Sequence, residues 1–137
     1  MVIERTTKDL LARLNMEKVK AVDVRPVEAY NGWKLNNEAR GGHIAGAKSL
    51  PKKWLKYIDW IEIVRHKNIL PENEIIVYGY LPEETKQVAE RFLKSGYNNI
   101  GVYNDFLNDW VTNADLPMQK LERYRNLVSA TWVNELI

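Results

Sequence analysis

The sequence contains no cysteine. That absence excludes disulfides, thiolate metal sites and every mechanism that needs a cysteine nucleophile. Histidine is nearly as scarce. His43 and His66 stand far apart, lack ligand-type neighbours and form no His-Glu-x-x-His pattern. No apolar run approaches about 18 residues, the length a membrane-crossing helix needs. The opening Met1-Val2-Ile3-Glu4-Arg5 has no apolar stretch of the secretory-signal kind. Charge of one sign is missing as well. Lys and Arg number 20 and Asp and Glu 18, a net +2, without the clustered basic stripe of a nucleic-acid binder. Trp33, Trp54, Trp60, Trp110 and Trp132 are scattered and do not interleave with basic residues, so no base-stacking platform is indicated. Arg40-Gly41-Gly42 is too short for a phosphate loop and does not open a helix after a strand.

What is present is an ordinary globular composition, 45% hydrophobic and 28% charged over 137 residues. A chain this long buries roughly two-thirds of its unfolded surface and forms one domain. These features fit a soluble protein of cytoplasm or periplasm equally.

The periodicity predicts the elements. Thr7 to Leu14 reads as an amphipathic helix capped by Thr6 or Thr7, with Leu10, Leu11 and Leu14 on one face. Val19 to Arg25 reads as a strand running into a loop. Pro26 stops pairing and starts a short helix over Val27 to Tyr30. Asn31 to Gly42 is a polar loop, and Ala47 to Leu50 a short strand. Lys52 to Lys67 places Trp54, Leu55, Ile58, Ile61 and Val64 on one helical face. Pro71 and Asn73 mark a turn before the strand Glu74 to Tyr78, the strongest β-branched run. Glu83 to Ser95 is a helix with Val88, Ala89, Phe92 and Leu93 inward and Gly96 at C′. Asn99 to Tyr103 is a strand, Phe106 to Val111 a short helix, and Leu116-Pro117 opens an exit segment. Strands separated by helices imply an α/β fold: a central parallel sheet of about four to five strands with helices on both faces. Ligands in such sheets sit beyond the carboxyl ends of the strands. The loop after Tyr78 is therefore where a site is expected.

Few residues carry chemistry. His66 ends a helix, where a cation is mildly favoured. His43, in Gly42-His43-Ile44-Ala45-Gly46-Ala47, has no nucleophile nearby to activate and reads as a structural hydrogen-bonding histidine. Asp23 and Arg25 sit at a strand end, and the simplest reading is a salt bridge pinning the loop, from Arg25 to Glu28. The tail Val128 to Leu136 echoes Thr6 to Leu14, a hydroxyl cap followed by an amphipathic turn. It is either the start of a second unit or a terminal helix packing back on the first.

Taken in order, these segments resemble the rhodanese-like domain. Val22-Asp23-Val24-Arg25 is similar to its Asp-x-Arg motif, Glu28-Ala29-Tyr30 to its Glu-aromatic step, and Gly42 to Ala47 to its Gly-His-Ile-Pro-Gly-Ala. Ile75 to Tyr78 looks like its central strand, Gly96 to Val102 like its Gly-aromatic-x-x-Val segment, and Trp110 with Leu116-Pro117 like its closing Trp and Gly-Leu-Pro. The likeness spans about residues 6 to 118. It implies a rhodanese-like domain over 1-118 and, over 119-137, a linker and first helix resembling the start of a following module. Tyr30-Asn31-Gly32-Trp33 and the insert before Gly42 are similar to the first module of bacterial sulfurtransferases built from tandem rhodanese units.

The departures bear on function. Active members end the strand in Cys-x-x-Gly-x-Arg-Ser, whereas this chain reads Gly79-Tyr80-Leu81-Pro82-Glu83-Glu84-Thr85. A thiolate must attack the outer sulfur of the donor and carry a persulfide. Glycine has no side chain with which to do so. Glu83 and Glu84 at the helix N-terminus already satisfy the dipole and repel a sulfur-donor anion. A like-charge contact at about 4 Å costs roughly 1 to 4 kcal/mol. Pro82 removes one backbone N–H from the cradle. Asp105-Phe106 replaces a Gly-Gly pair, and Ala45 a proline. The expectation is a catalytically silent module with no catalytic residue, no metal and no cofactor. Its structural motif comprises Asp23, Arg25, Glu28, Gly42, His43 and Gly46. Its expected partners are other rhodanese-like modules of the same parent chain, with no nucleic acid and no membrane. The alternative is that the parent is a thiosulfate sulfurtransferase whose cysteine lies in a later module, this one shaping the interface or substrate access. A third reading has Glu83 and Glu84 take a cation, against plain helix stabilisation.

Overall fold

The computed structural model describes residues 2–120. The tail echo at Val128 to Leu136 lies outside the described residues. Five parallel strands form the centre: β1 (Val2–Arg5), β2 (Val19–Asp23), β4 (Lys48–Ser49), β5 (Glu74–Tyr78) and β6 (Ile100–Tyr103). Their order is β1-β6-β5-β2-β4, and every pairing is parallel. β3 (His43–Ile44) pairs antiparallel with β7 (Met118–Gln119) in a separate two-stranded ladder. β1, β3 and β7 are too short to show a period, and the sequence reading did not identify them.

The helices cover both faces. α3 (Trp60–His66), α4 (Pro82–Lys94) and a 3-10 helix (Lys52–Lys56) cover one face, where Trp60, Val88 and Phe92 cluster with Val22 and Val77 of the sheet. On the other face α1 (Thr7–Arg13) and a π-helical turn (Phe106–Trp110) bring Leu10, Phe106 and Trp110 onto Ala21, Ile76, Tyr78 and Tyr103. This is the expected doubly covered parallel sheet. α1 is fixed by a capping box: Thr6 accepts from the Asp9 N–H, and the Asp9 carboxylate accepts from the Thr6 N–H. Leu11, expected on the buried face of that helix, is instead 44% exposed. α2 (Val27–Asn31) follows Pro26 as expected.

The predicted helix over Lys52 to Lys67 is two elements. Tyr57 takes an extended conformation (ψ 133°), ending the 3-10 helix before α3 begins. One continuous helix would bury Ile58 and turn Trp60 off the core. The break does the reverse, leaving Ile58 100% exposed and Trp60 fully buried. An indole buries more apolar area than a butyl group. Trp60 packs edge-on against Phe92 at 5.1 Å between centroids.

Register aligns the strand ends. Asp23 lies opposite Tyr78 and Ser49, and Tyr78 opposite Tyr103. This row forms the carboxyl edge of the sheet, where β5 feeds the loop to α4.

Candidate functional site

The site forms around Asp23 and Arg25. β2 ends at Asp23, and the chain turns at once, so that the Arg25 side chain folds back over its own strand tip. Both side chains are fully buried. Arg25 Nε lies 3.0 and 3.1 Å from the two Asp23 oxygens, and a terminal nitrogen donates to Asp23 Oδ2 at 2.6 Å. The same nitrogen donates to the Gly42 carbonyl at 2.6 Å. The other terminal nitrogen stands 3.5 Å from Glu38 Oε2. Glu28, the partner anticipated for Arg25, is exposed. The short helix α2 carries it away from the strand tip, and Glu38 reaches Arg25 from the polar insert in its place.

Aromatic rings close the rest. The guanidinium carbon lies 4.5 Å from the Phe106 ring centroid and 5.2 Å from that of Tyr80. The Tyr78 hydroxyl donates to Asp23 Oδ2 at 2.9 Å and accepts from the Ile44 N–H at 3.0 Å. The Tyr80 hydroxyl donates to Glu38, whose other oxygen accepts from the Asn36 N–H at 3.0 Å. Burial opposes the Arg25 charge, but the Asp23 carboxylate beside it prevails and holds the guanidinium firmly protonated. Burial pushes the Tyr78 phenol well up, and the Asp23 carboxylate adds to the effect. Burial and then the bond to Glu38 raise Tyr80. The strand tips thus hold a packed cluster of one cation and two carboxylates, roofed by aromatic rings.

At Gly79 an added Cβ would lie 2.8 Å from Val24 Cγ2 and 3.8 Å from Arg25 Cγ. Space that a side chain at the strand tip would use is filled by Val24, just past the end of β2. The first turn of α4 offers little to an anion. The Glu84 and Thr85 N–H groups donate to the Leu81 carbonyl at 3.1 and 3.2 Å, and Pro82 has no N–H. Thr85 is buried, with its hydroxyl donating to the Pro82 carbonyl at 2.8 Å and standing 3.2 Å from Asn104 Oδ1. Leu81 and Glu83 are exposed and Glu84 half-buried. Neither loop hydroxyl is an activated nucleophile. Among the described residues no group of three His, Cys, Asp or Glu could hold a metal, and no helix is long and apolar enough to cross a membrane.

His43 sits apart from this cluster in bonding. Its Nδ1 is 2.8 Å from the Tyr30 carbonyl, which can only accept, so Nδ1 carries the proton. Its ring stacks on Tyr30 at 3.7 Å and 2°. Gly46 N–H donates to Gln119 Oε1 at 2.9 Å. Burial lowers the His43 pKa. Gly42 has φ +102°, and a Cβ there would meet the Gln119 carbonyl at 2.2 Å, so only glycine fits between Arg25 and β7. Ala45 N–H donates to the Pro117 carbonyl at 3.1 Å, a bond proline could not make.

The structure therefore gathers Asp23, Arg25 and Gly42 in one cluster, places His43 and Gly46 in the adjoining ladder, and leaves Glu28 outside. Sequence reasoning missed Glu38, the Tyr78 and Tyr80 hydroxyls and Arg40. Arg40 donates to the carbonyls of Trp110, Val111, Asn113 and Leu116 at 2.6 to 3.1 Å. Glu38 and Arg40 lie in an insert without period. Their one signal was charge beside Gly41-Gly42.

Comparison with known proteins places this geometry. The model of the rhodanese-like domain matches residues 6–113. Thiosulfate sulfurtransferase YnjE of Escherichia coli (strain K12) is 26% identical over 129 residues, 92% of this chain but 28% of that protein. A single-substitution variant of EanB in complex with ergothioneine superposes with a TM-score of 0.91 at 54% identity, over 99% of this chain and 32% of that one. The anaerobic ergothioneine biosynthesis enzyme from Chlorobium limicola, in complex with its natural substrate trimethyl histidine, gives 0.90 at the same identity and coverage. The chain spans about a third of the length of these relatives.

Proposed function

Because this chain belongs to the rhodanese-like family, we propose that it is a catalytically silent module of a longer sulfur-transferring protein, a structural and docking domain beside the module that bears the reactive cysteine. The observation that carries this reading is the strand tip. Sulfur transfer needs a thiolate there and a cradle for the donor anion. This chain has glycine at position 79 and no cysteine at any position, and Arg25 is committed to Asp23 and the Gly42 carbonyl. The buried cluster holds the fold's loops and offers the donor neither nucleophile nor free cation.

Two readings of the parent's chemistry draw support from its relatives. At 54% identity to a third of EanB, the parent turns trimethyl histidine into ergothioneine, with sulfur delivered by a cysteine persulfide in another module. One solved EanB complex has ergothioneine covalently linked with a persulfide cysteine. A second reading, supported by the 26% identity to YnjE, makes the parent a thiosulfate sulfurtransferase in which this module shapes the interface or substrate access.

The test has two arms. The 137-residue chain is assayed for sulfur transfer from thiosulfate to cyanide, where turnover equal to a protein-free blank is expected and turnover above it overturns the silent-module reading. The full gene product is then given a sulfane-sulfur donor with trimethyl histidine or with cyanide. Ergothioneine formation supports the first reading. Thiocyanate alone supports the second, and neither product defeats both.

A further inference from the structure

The break that buries Trp60 also builds a surface. Ile58 is wholly exposed and Tyr57 is 41% exposed, and the 3-10 helix that leads into them carries Lys52, Lys53 and Lys56. Lys53 and Lys56 stand one turn apart on the 3-10 helix and so share a side. Lys56 Nζ is 6.0 Å from the centre of the Tyr57 ring. Lys67, at the end of α3, holds its Nζ 5.6 Å from the Trp54 ring. Burial lowers the Lys67 pKa, and the Lys48 ammonium nearby lowers it further, so two cations are held close enough to repel. No carboxylate of the described residues pairs with Lys48, Lys52, Lys53, Lys56 or Lys67. Asp59 and Glu62 are the carboxylates of these two helices and their junction, and Glu62 is taken by Arg65 at 3.7 Å. The corner thus has an apolar centre and five lysines against one exposed carboxylate outside an ion pair, Asp59.

We propose that this lysine-rimmed Tyr57–Ile58 corner docks an acidic, apolar-centred face of another module of the same longer chain. The inference rests on the silent-module reading and names the surface that does the docking. An apolar, aromatic centre with a polar rim is the anatomy of a protein interface, and the net positive rim selects an acidic partner. The relatives supply the length, since about two-thirds of each lies outside the part this chain matches. Phosphate recognition favours arginine, but here Arg65 is paired with Glu62 and Arg91 donates to the Leu55 carbonyl. A membrane would need more apolar insertion than one isoleucine provides.

The test is lysine acetylation of the full gene product, read by mass spectrometry. Lys53 and Lys56 are expected to react several-fold more slowly than the exposed Lys8 and Lys86 on other elements. The slowing should vanish near about 1 M salt, where the Debye length is about 3 Å. It should vanish equally in Ile58→Asp, and the slower acetylation of neighbouring Lys52 should be lost in Lys53→Glu/Lys56→Glu but kept in Lys53→Arg/Lys56→Arg. Equal reactivity of Lys53, Lys56, Lys8 and Lys86 in a product that transfers sulfur overturns the docking surface and leaves the silent-module reading intact. A product with no further module and no sulfur transfer overturns both. Protection that appears only with phosphatidylserine vesicles or duplex DNA assigns the corner to lipid or nucleic acid and overturns the proposal.

Discussion

Val24 Cγ2 occupies the space that a side chain on Gly79 would need, with 2.8 Å between it and a Cβ built at that position. Valine is stiff about χ1, so the clash is not relieved by a small rotation. Gly79→Cys is expected to destabilise the chain by about 1 to 3 kcal/mol, the usual cost of overpacking, and to gain no thiosulfate:cyanide activity. Urea unfolding and a thiocyanate assay check both. Val24→Ala added to Gly79→Cys should recover part of the stability and still give no turnover, because Arg25 remains committed.

The buried ion cluster predicts an order of sensitivity. Asp23→Asn leaves the Arg25 guanidinium buried beside a neutral partner, and breaking such a pair from one side costs about 3 to 5 kcal/mol. Glu38→Gln should cost less. Its Arg25 contact is the long one at 3.5 Å, and an amide still offers the Tyr80 hydroxyl an acceptor. Chemical denaturation of the two variants should rank them in that order.

Stability should fall on both sides of neutrality. The folded His43 pKa lies below 6.5 because the ring is buried. Its contribution is therefore complete above the unfolded value and is lost as pH drops below about 6.5, with a slope of at most about 1.4 kcal/mol per pH unit per proton. Burial raises Tyr30, Tyr78, Tyr80 and Tyr97, and lifts Tyr103 to about 12. Their contribution is complete below pH 10 and is lost as pH rises through and beyond it. Melting temperature against pH should show a plateau between these limits, and His43→Gln should flatten its acid side.

Trp60 and Ile58 form a paired test of the helix break. Trp60→Ala should cost about 3 to 5 kcal/mol. Ile58→Ala should stay within about 0.5 kcal/mol, since the side chain is exposed. Equal losses would mean that the helix runs on through residues 57 to 59.

These cases also mark what the sequence made legible. The strands at Val19, Glu74 and Ile100 and the helix from Pro82 were plain, because burial on both faces of a sheet leaves unmixed apolar runs and a long helix leaves a period. The missing thiol at position 79 was equally plain, because it is a matter of composition. Lys52 to Lys67 misled because one period fitted Ile58 and Val64 while ignoring Trp60, whose size decided the packing. Glu38 and Arg40 were illegible because long-range pairing of a loop side chain leaves no local pattern. The lysine-rimmed corner was hidden for the same reason. Lys48 and Lys67 are far apart in the chain and meet only in the fold.

Arg40 deserves a mechanical reading. It grips the π-helical turn and the segment after it by four carbonyls, and β3 is zipped to β7 just beyond. The insert is thereby buckled to the strap on which the chain leaves the domain. A pull on residues beyond Lys120 would load the insert before it strained the central strands, making the exit strap a tether whose tension is felt at Glu38.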